Sequence, residues 1–338
     1  MPGIGAFISG CAQAALSPDE RDFFRAANPW GLILFRRNIE SPKQLRALTA
    51  DFRACVGRAN APVFIDQEGG RVQRMGPPHW RKYPPGARYG ELYAREREAG
   101  LEAAHLVARL MAADLRDVGI NADCLPVLDV PQPDAHDVIG DRAYGHDPAT
   151  VAALARAAVE GLLAGGVLPV IKHIPGHGRA RADSHLNLPV VEASRAELER
   201  VDFPPFRALA DAPMAMTAHV VYTALDPELP ATLSPTVIGM MREELGFNGL
   251  IMCDDVSMKA LSGSFSARAA QARAAGCDVA LHCNGVMAEM VEVARGAGVL
   301  DGPAARRAEA ALARLREPEI FDENQALARL AAVSAPAA

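Results

Sequence analysis

Aromatic residues are scarce: Phe, Trp and Tyr make up 5% of the 338 residues. Such a chain has few flat rings to spare for a long stacking surface, so a cleft for an extended polymer is disfavoured and a pocket for one small ligand fits better. The six cysteines (Cys11, Cys55, Cys124, Cys253, Cys277, Cys283) form no CxxC pair and no zinc-type spacing. Most lie in apolar runs and read as buried free thiols of a reducing compartment. Basic clusters are missing too. Lys and Arg are scattered and the net charge is −6, which excludes nucleic acid as an expected partner. No stretch reaches about 18 uninterrupted apolar residues, and no Lys or Arg precedes Arg21 to make a basic leader. The expectation is a cytoplasmic protein with no membrane span. There is no linker and no low-complexity segment, so one domain over 1–338 is expected, with closing helices at about 286–338.

Short apolar runs recur at 5–11, 31–38, 62–69, 120–130, 168–174, 213–222, 249–255 and 278–284. They are continuous or nearly so, as expected of strands covered on both faces. Helix signals separate them. Ser17-Pro18, Ser41-Pro42, Asp147-Pro148 and Ser234-Pro235 pair a capping residue with Pro at the first helical position. Ser194 with Glu197 reads as a further capping box, and Gly57 and Gly246 as helix stops. Residues 105–119 and 149–166 carry apolar residues at helical spacing. Eight strand–helix repeats predict an α/β fold, a single-domain (β/α)8 TIM-type barrel. A doubly wound sheet is disfavoured because FISGCAQAALS after the first strand lacks GxGxxG. The Pro-rich piece 77–93 reads as a rim loop, in which Trp80 either stacks on a ligand or packs beneath.

A barrel places its chemistry at the C-terminal ends of its strands. Charged groups are set there in this sequence: Asp66–Arg71 after strand three, Lys172-His173 after five, His219 near the end of six, Asp254-Asp255 after seven and His282 after eight. Charges inside apolar strands are costly unless they face a functional cavity. The segment KHIPGHGRARADSHLNLP (172–189) holds three of the nine histidines, and four of its eighteen residues are Gly or Pro. Three chemistries could use these groups. His173, His177 and Asp254 could hold zinc, although FISGC lacks the HxH of metal-hydrolase barrels. Gly176-His177-Gly178 is a weak phosphate cradle. Asp254 could serve as a carboxylate nucleophile opposite a proton donor formed by His185 and Asp183.

KHIPGHG…DSH, FIDQEGGRVQRM and GLIMCDDVSM together resemble the bacterial β-N-acetylglucosaminidases of glycoside hydrolase family three, in that family's order, from about Gly31 to Asn284. The resemblance implies that Asp254 is the nucleophile, His185 the general acid/base and Asp183 the group that orients it. It implies sugar-binding roles for Asp66, Arg74, Arg142, Lys172 and His173. It further implies exo-acting, retaining hydrolysis of the GlcNAc-1,6-anhydro-MurNAc disaccharide and its peptide forms, in peptidoglycan recycling. The chain departs from the family pattern at Ile174, usually Phe, and at Cys253, usually Ser.

A histidine titrating near neutrality can donate a proton to the leaving oxygen and then take one from water. His219 is expected as possible pocket lining, Asp255 as a structural partner of a nearby cation, and His177 as a loop-shaping residue. The partner is a small soluble muropeptide or amino-sugar substrate, with no metal and no other cofactor, and a monomer is expected. The rival readings are a phosphorylase, in which phosphate replaces water, and a catalytically inactive sugar-binding sensor.

Overall fold

The computed structural model describes residues 3–180 and 188–334. Eight parallel strands close into one barrel: β1 (Gly5–Ser9), β2 (Pro29–Leu34), β3 (Val63–Ile65), β4 (Ala122–Asp123), β5 (Leu168–Ile174), β6 (Met214–Thr217), β7 (Leu250–Asp255) and β8 (Val279–His282). Each pairs with its neighbour in sequence, and β1 returns to β8 with Phe7 opposite Ala280. Every residue of β1, β2, β5, β6 and β8 is buried, which is why these strands read as unbroken apolar runs. The eight expected runs are the eight barrel strands.

The expected helix starts hold. The side chains of Ser17, Ser41, Asp147 and Ser234 each accept the N–H three residues on, at the heads of Pro18–Ala27, Pro42–Val56, Pro148–Ala164 and Pro235–Glu243. Gly57 ends its helix at φ 64°. Ser194 and Glu197 form their capping box, but the helix behind them lasts one turn, Arg195–Glu197, before a wider turn over Leu198–Asp202. Pro204 and Pro205 have no N–H to continue the ladder, and the chain restarts as Pro204–Ala208.

Two boundaries differ from expectation. β4 is two residues long, because Pro126 cannot donate within the run 120–130. The chain from Leu125 to Leu128 nevertheless stays beside β5: Val170 N–H donates to Leu125, Lys172 N–H to Pro126, and Leu128 N–H to Lys172. The presumed rim loop 77–93 is helical from Gly86 to Arg95, since its prolines stop at Pro85. Trp80 packs beneath this segment at 8% exposure. No helix among the described residues is long and apolar enough to cross a membrane.

The base of the barrel is held by charge. Asp278, just before β8, is 1% exposed and takes Arg307 of helix Gly302–Leu312 and Arg242 of helix Pro235–Glu243. Its Oδ2 also accepts Ile251 N–H of β7 at 2.8 Å. One carboxylate thereby ties a closing helix and a wall helix to two strands. Asp278→Ala should cost about 3–5 kcal/mol, since it leaves two arginines facing an apolar gap; urea denaturation of the full chain measures it.

Candidate active site

Asp66, Arg74, Arg142, Lys172, His173 and Asp254 line one pocket at the C-terminal mouth of the barrel. Asp66 follows β3 directly. Beyond it the chain forms a tight hairpin, Gln67–Gly69 against Val72–Gln73. Gly69 and Gly70 turn it at φ 94° and 56°, and a Cβ on Gly69 would lie 2.2 Å from the Pro84 carbonyl oxygen. The paired glycines of QEGGR are therefore what lets Glu68 and Arg74 face the same cavity.

Lys172 on β5 is the centre of this half of the pocket and is 2% exposed. Its ammonium lies 2.9 Å from Asp66 Oδ1 and 2.5 Å from Glu68 Oε1. Arg74 donates to the other oxygen of Asp66 at 2.9 Å, and Arg142 grips Glu68 through two nitrogens, both at 2.8 Å. Burial alone pushes both carboxyls up, but the cations outweigh it. Lys172 and Arg74 hold Asp66 far below the carboxylate range; Arg142 and Lys172 hold Glu68 at about 2. For Lys172, burial is outweighed in the opposite sense by Asp66 and Glu68, and its pKa is raised. Three cations meet two carboxylates, leaving positive charge in excess. Arg74 Nε is buried with no partner among the described residues.

Behind this cluster lies Asp129, which is fully buried. Its Oδ2 is 2.7 Å from His173 Nδ1, and its Oδ1 accepts the N–H groups of His173 at 3.2 Å and His177 at 2.6 Å. It thus orients one ring and pins the turn that follows. Burial, with His173 alongside, pushes His177 down to about 4, so that ring is neutral at neutral pH. His177 sits in the turn that Asp129 pins, and it lines the pocket.

Asp254 stands opposite, near the end of β7. Its Oδ1 accepts Asp255 N–H at 2.8 Å, and its own N–H donates to Thr217 Oγ1 at 3.3 Å. Among the described residues, no cation anchors Asp255. It is held by Ser257, through N–H and hydroxyl at 2.9 and 2.6 Å, and by Cys283 N–H at 3.2 Å. His219 is a correction: it does not line the pocket. The ring is fully buried between Thr232 Oγ1 and the Asp255 carbonyl. Cys253 and Ile174 are buried and do not line it either; Cys253 Sγ accepts Leu281 N–H. Asp183 and His185 lie outside the described residues.

The sequence reading missed Glu68 and Asp129 as site residues. The signal for Asp129 was the one used elsewhere, a carboxylate at the end of an apolar run, here the fourth. Glu68 was in view in QEGG, but its partner Arg142 is 74 positions away.

These shifts set an acid limit. Glu68 and Asp129 sit at about 2 against ordinary values of 4.5 and 3.8. Their stabilisation is complete above the ordinary values and is lost as the pH falls toward 2. Urea midpoints should drop steeply from pH 4.5 downward, and Glu68→Gln should both lower the midpoint at pH 7 and flatten that slope.

Residues 13–315 match the family model described as the glycosyl hydrolase family 3 N terminal domain. A beta-hexosaminidase of Alkalilimnicola ehrlichii is 42% identical over 286 residues, covering 83% of this chain and 81% of the relative. Native NagZ from Neisseria gonorrhoeae superposes with a TM-score of 0.86 at 32% identity, covering 99% of both chains. The same protein in complex with N-trifluoroacetyl-D-glucosamine gives 0.86 and 32%, covering 98% of this chain and 99% of that one. The chain belongs to glycosyl hydrolase family 3 and is a glycoside hydrolase.

Proposed function

We propose that this enzyme is an exo-acting, retaining β-N-acetylglucosaminidase that removes terminal non-reducing GlcNAc from GlcNAc-1,6-anhydro-MurNAc and its peptide forms, within peptidoglycan recycling in the cytoplasm. The observation that carries the reading is Asp254 at the end of β7, across one pocket from the Asp66–Lys172–Glu68 cluster. The beta-hexosaminidase relatives and the neighbour that binds an N-acylated glucosamine support the substrate class.

In this reading Asp66, Arg74, Arg142, Lys172 and His173 hold the hydroxyls of one sugar. Charge-assisted hydrogen bonds suit that work, and the rigid ion pairs keep their donors and acceptors aimed before the sugar arrives. The Asp254 carboxylate attacks the anomeric carbon as the bond to the leaving oxygen breaks. His185, oriented by Asp183, gives that oxygen its proton. Water then loses a proton to His185 and attacks the same carbon, releasing Asp254 and the sugar. Two displacements on one carbon retain its configuration.

The test is release of p-nitrophenol from its β-N-acetylglucosaminide in phosphate-free buffer with EDTA. Wild type should turn over, and Asp254→Ala should lose roughly 10³-fold or more in kcat. Mass spectrometry of a slow substrate should find one added sugar on the peptide containing Asp254. Turnover that appears only with added phosphate would mean a phosphorylase, and undiminished Asp254→Ala activity would reject the nucleophile.

A further inference from the structure

The β ladder breaks where Asp254 stands. Up to Met252, β7 pairs with β6 residue for residue: Leu250 with Met214, Ile251 with Ala215, Met252 with Met216. On the β8 side the register shifts between Met252 and Asp255. There Leu281 N–H is met by Cys253 Sγ at 3.1 Å. Asp254 sits in this irregular stretch, and the acceptor for its backbone N–H is a side-chain hydroxyl, Thr217 Oγ1. Bulges of this kind re-aim a side chain beside active sites.

The contact continues. Thr217 Oγ1 lies 2.7 Å from Thr232 Oγ1, which lies 2.7 Å from His219 Nδ1; His219 Nε2 lies 3.0 Å from the Asp255 carbonyl oxygen. Thr217, Thr232 and His219 are all 0% exposed. With every bond made and the ring neutral, counting protons leaves one arrangement. Asp254 N–H can only donate and the Asp255 carbonyl can only accept. Thr217, accepting from Asp254, gives its proton to Thr232. Thr232 gives its own to His219 Nδ1, and Nε2–H donates to Asp255. This satisfies all five groups with a neutral ring. The Ala218 carbonyl, 3.1 Å from Thr232 Oγ1, is the competing acceptor. Were Thr232 to donate there, Nδ1 and Nε2 would both need protons, placing an imidazolium in a fully buried site. The other neutral tautomer would set a bare Nε2 against a carbonyl oxygen.

We propose that Thr217, Thr232 and His219 are positioning residues: a closed run of hydrogen bonds from Asp254 N–H to the Asp255 carbonyl that fixes the backbone carrying the Asp254 carboxylate. This rests on the reading of Asp254 as nucleophile. Among the described residues the brace makes no hydrogen bond to Asp66, Arg74, Arg142, Lys172 or His173, so it governs the line of attack and leaves ground-state binding to the Lys172 side.

Steady-state kinetics on p-nitrophenyl β-N-acetylglucosaminide tests it. Thr217→Val should lower kcat roughly 10- to 100-fold with KM within about twofold, and Thr217→Ser should restore kcat to within about threefold. Asp254→Ala is run beside them. Wild-type kinetics in Thr217→Val with Asp254→Ala inactive would overturn the positioning role alone; an active Asp254→Ala would instead reject the nucleophile. A rise in KM at constant kcat would also overturn the role. Should Thr217→Val fail to fold, Thr232→Val and the ¹⁵N spectrum of the wild-type imidazoles decide. His219, assigned by its absence from His219→Gln, should show a bare Nδ1 and a protonated Nε2 at neutral pH. A protonated Nδ1 overturns the proposal.

Discussion

A single ammonium group organises the pocket. Taking Lys172 out of water costs several kcal/mol unless anions receive it. Asp66 and Glu68 do so, and each then carries an arginine of its own, Arg74 and Arg142. Through these five side chains one residue of β5 holds the end of β3, the hairpin behind it and the segment after β4. None of the members could change alone. Without Lys172, Asp66 and Glu68 would repel one another with only their own arginines to offset it. The cluster's ion pairs are all made between side chains of the protein itself, so the cost of ordering them falls on folding.

The two halves of the pocket are built differently. On the β3–β5 side the parts are charged and paired. Around β6 and β7, Asp254 accepts the Asp255 N–H and donates its own N–H to the Thr217 hydroxyl, with Thr232 and His219 next in line. The difference suits the two tasks. In the proposed reading, ionised donors and acceptors grip the sugar hydroxyls well, and the hydrogen bond on the Asp254 backbone N–H helps set the direction in which its carboxylate points.

Much of the barrel was legible because strands covered on both faces leave no polar alternation, and because Ser17, Ser41, Asp147 and Ser234 announce their helices with a following proline. The exceptions share a cause. In 120–130 the apolar pattern continues through Pro126, where the ladder cannot, and in 77–93 the prolines hid the helix that begins at Gly86. For the site, a charge at the end of an apolar run pointed to Asp66, Lys172, His173 and Asp254, which do share a pocket. Position along a strand does not reveal which way a ring turns, so His219 read as wall although it lies beneath Asp255. Pairings such as Glu68 with Arg142 or Asp129 with His173 join residues 74 and 44 positions apart, and no local pattern carries them.

The closure of β1 on β8 has a consequence for how the chain is made. Phe7 waits for Ala280, about 270 residues later. At roughly 5–20 residues per second, a ribosome needs about a quarter of a minute to a minute to cover that distance. Throughout it, the outer edge of β1 is an unpaired row of N–H and C=O groups, and the newest strand offers another. A nascent polypeptide that pairs its strands as they emerge would be an open, curling sheet with two adhesive rims until its last strand arrives.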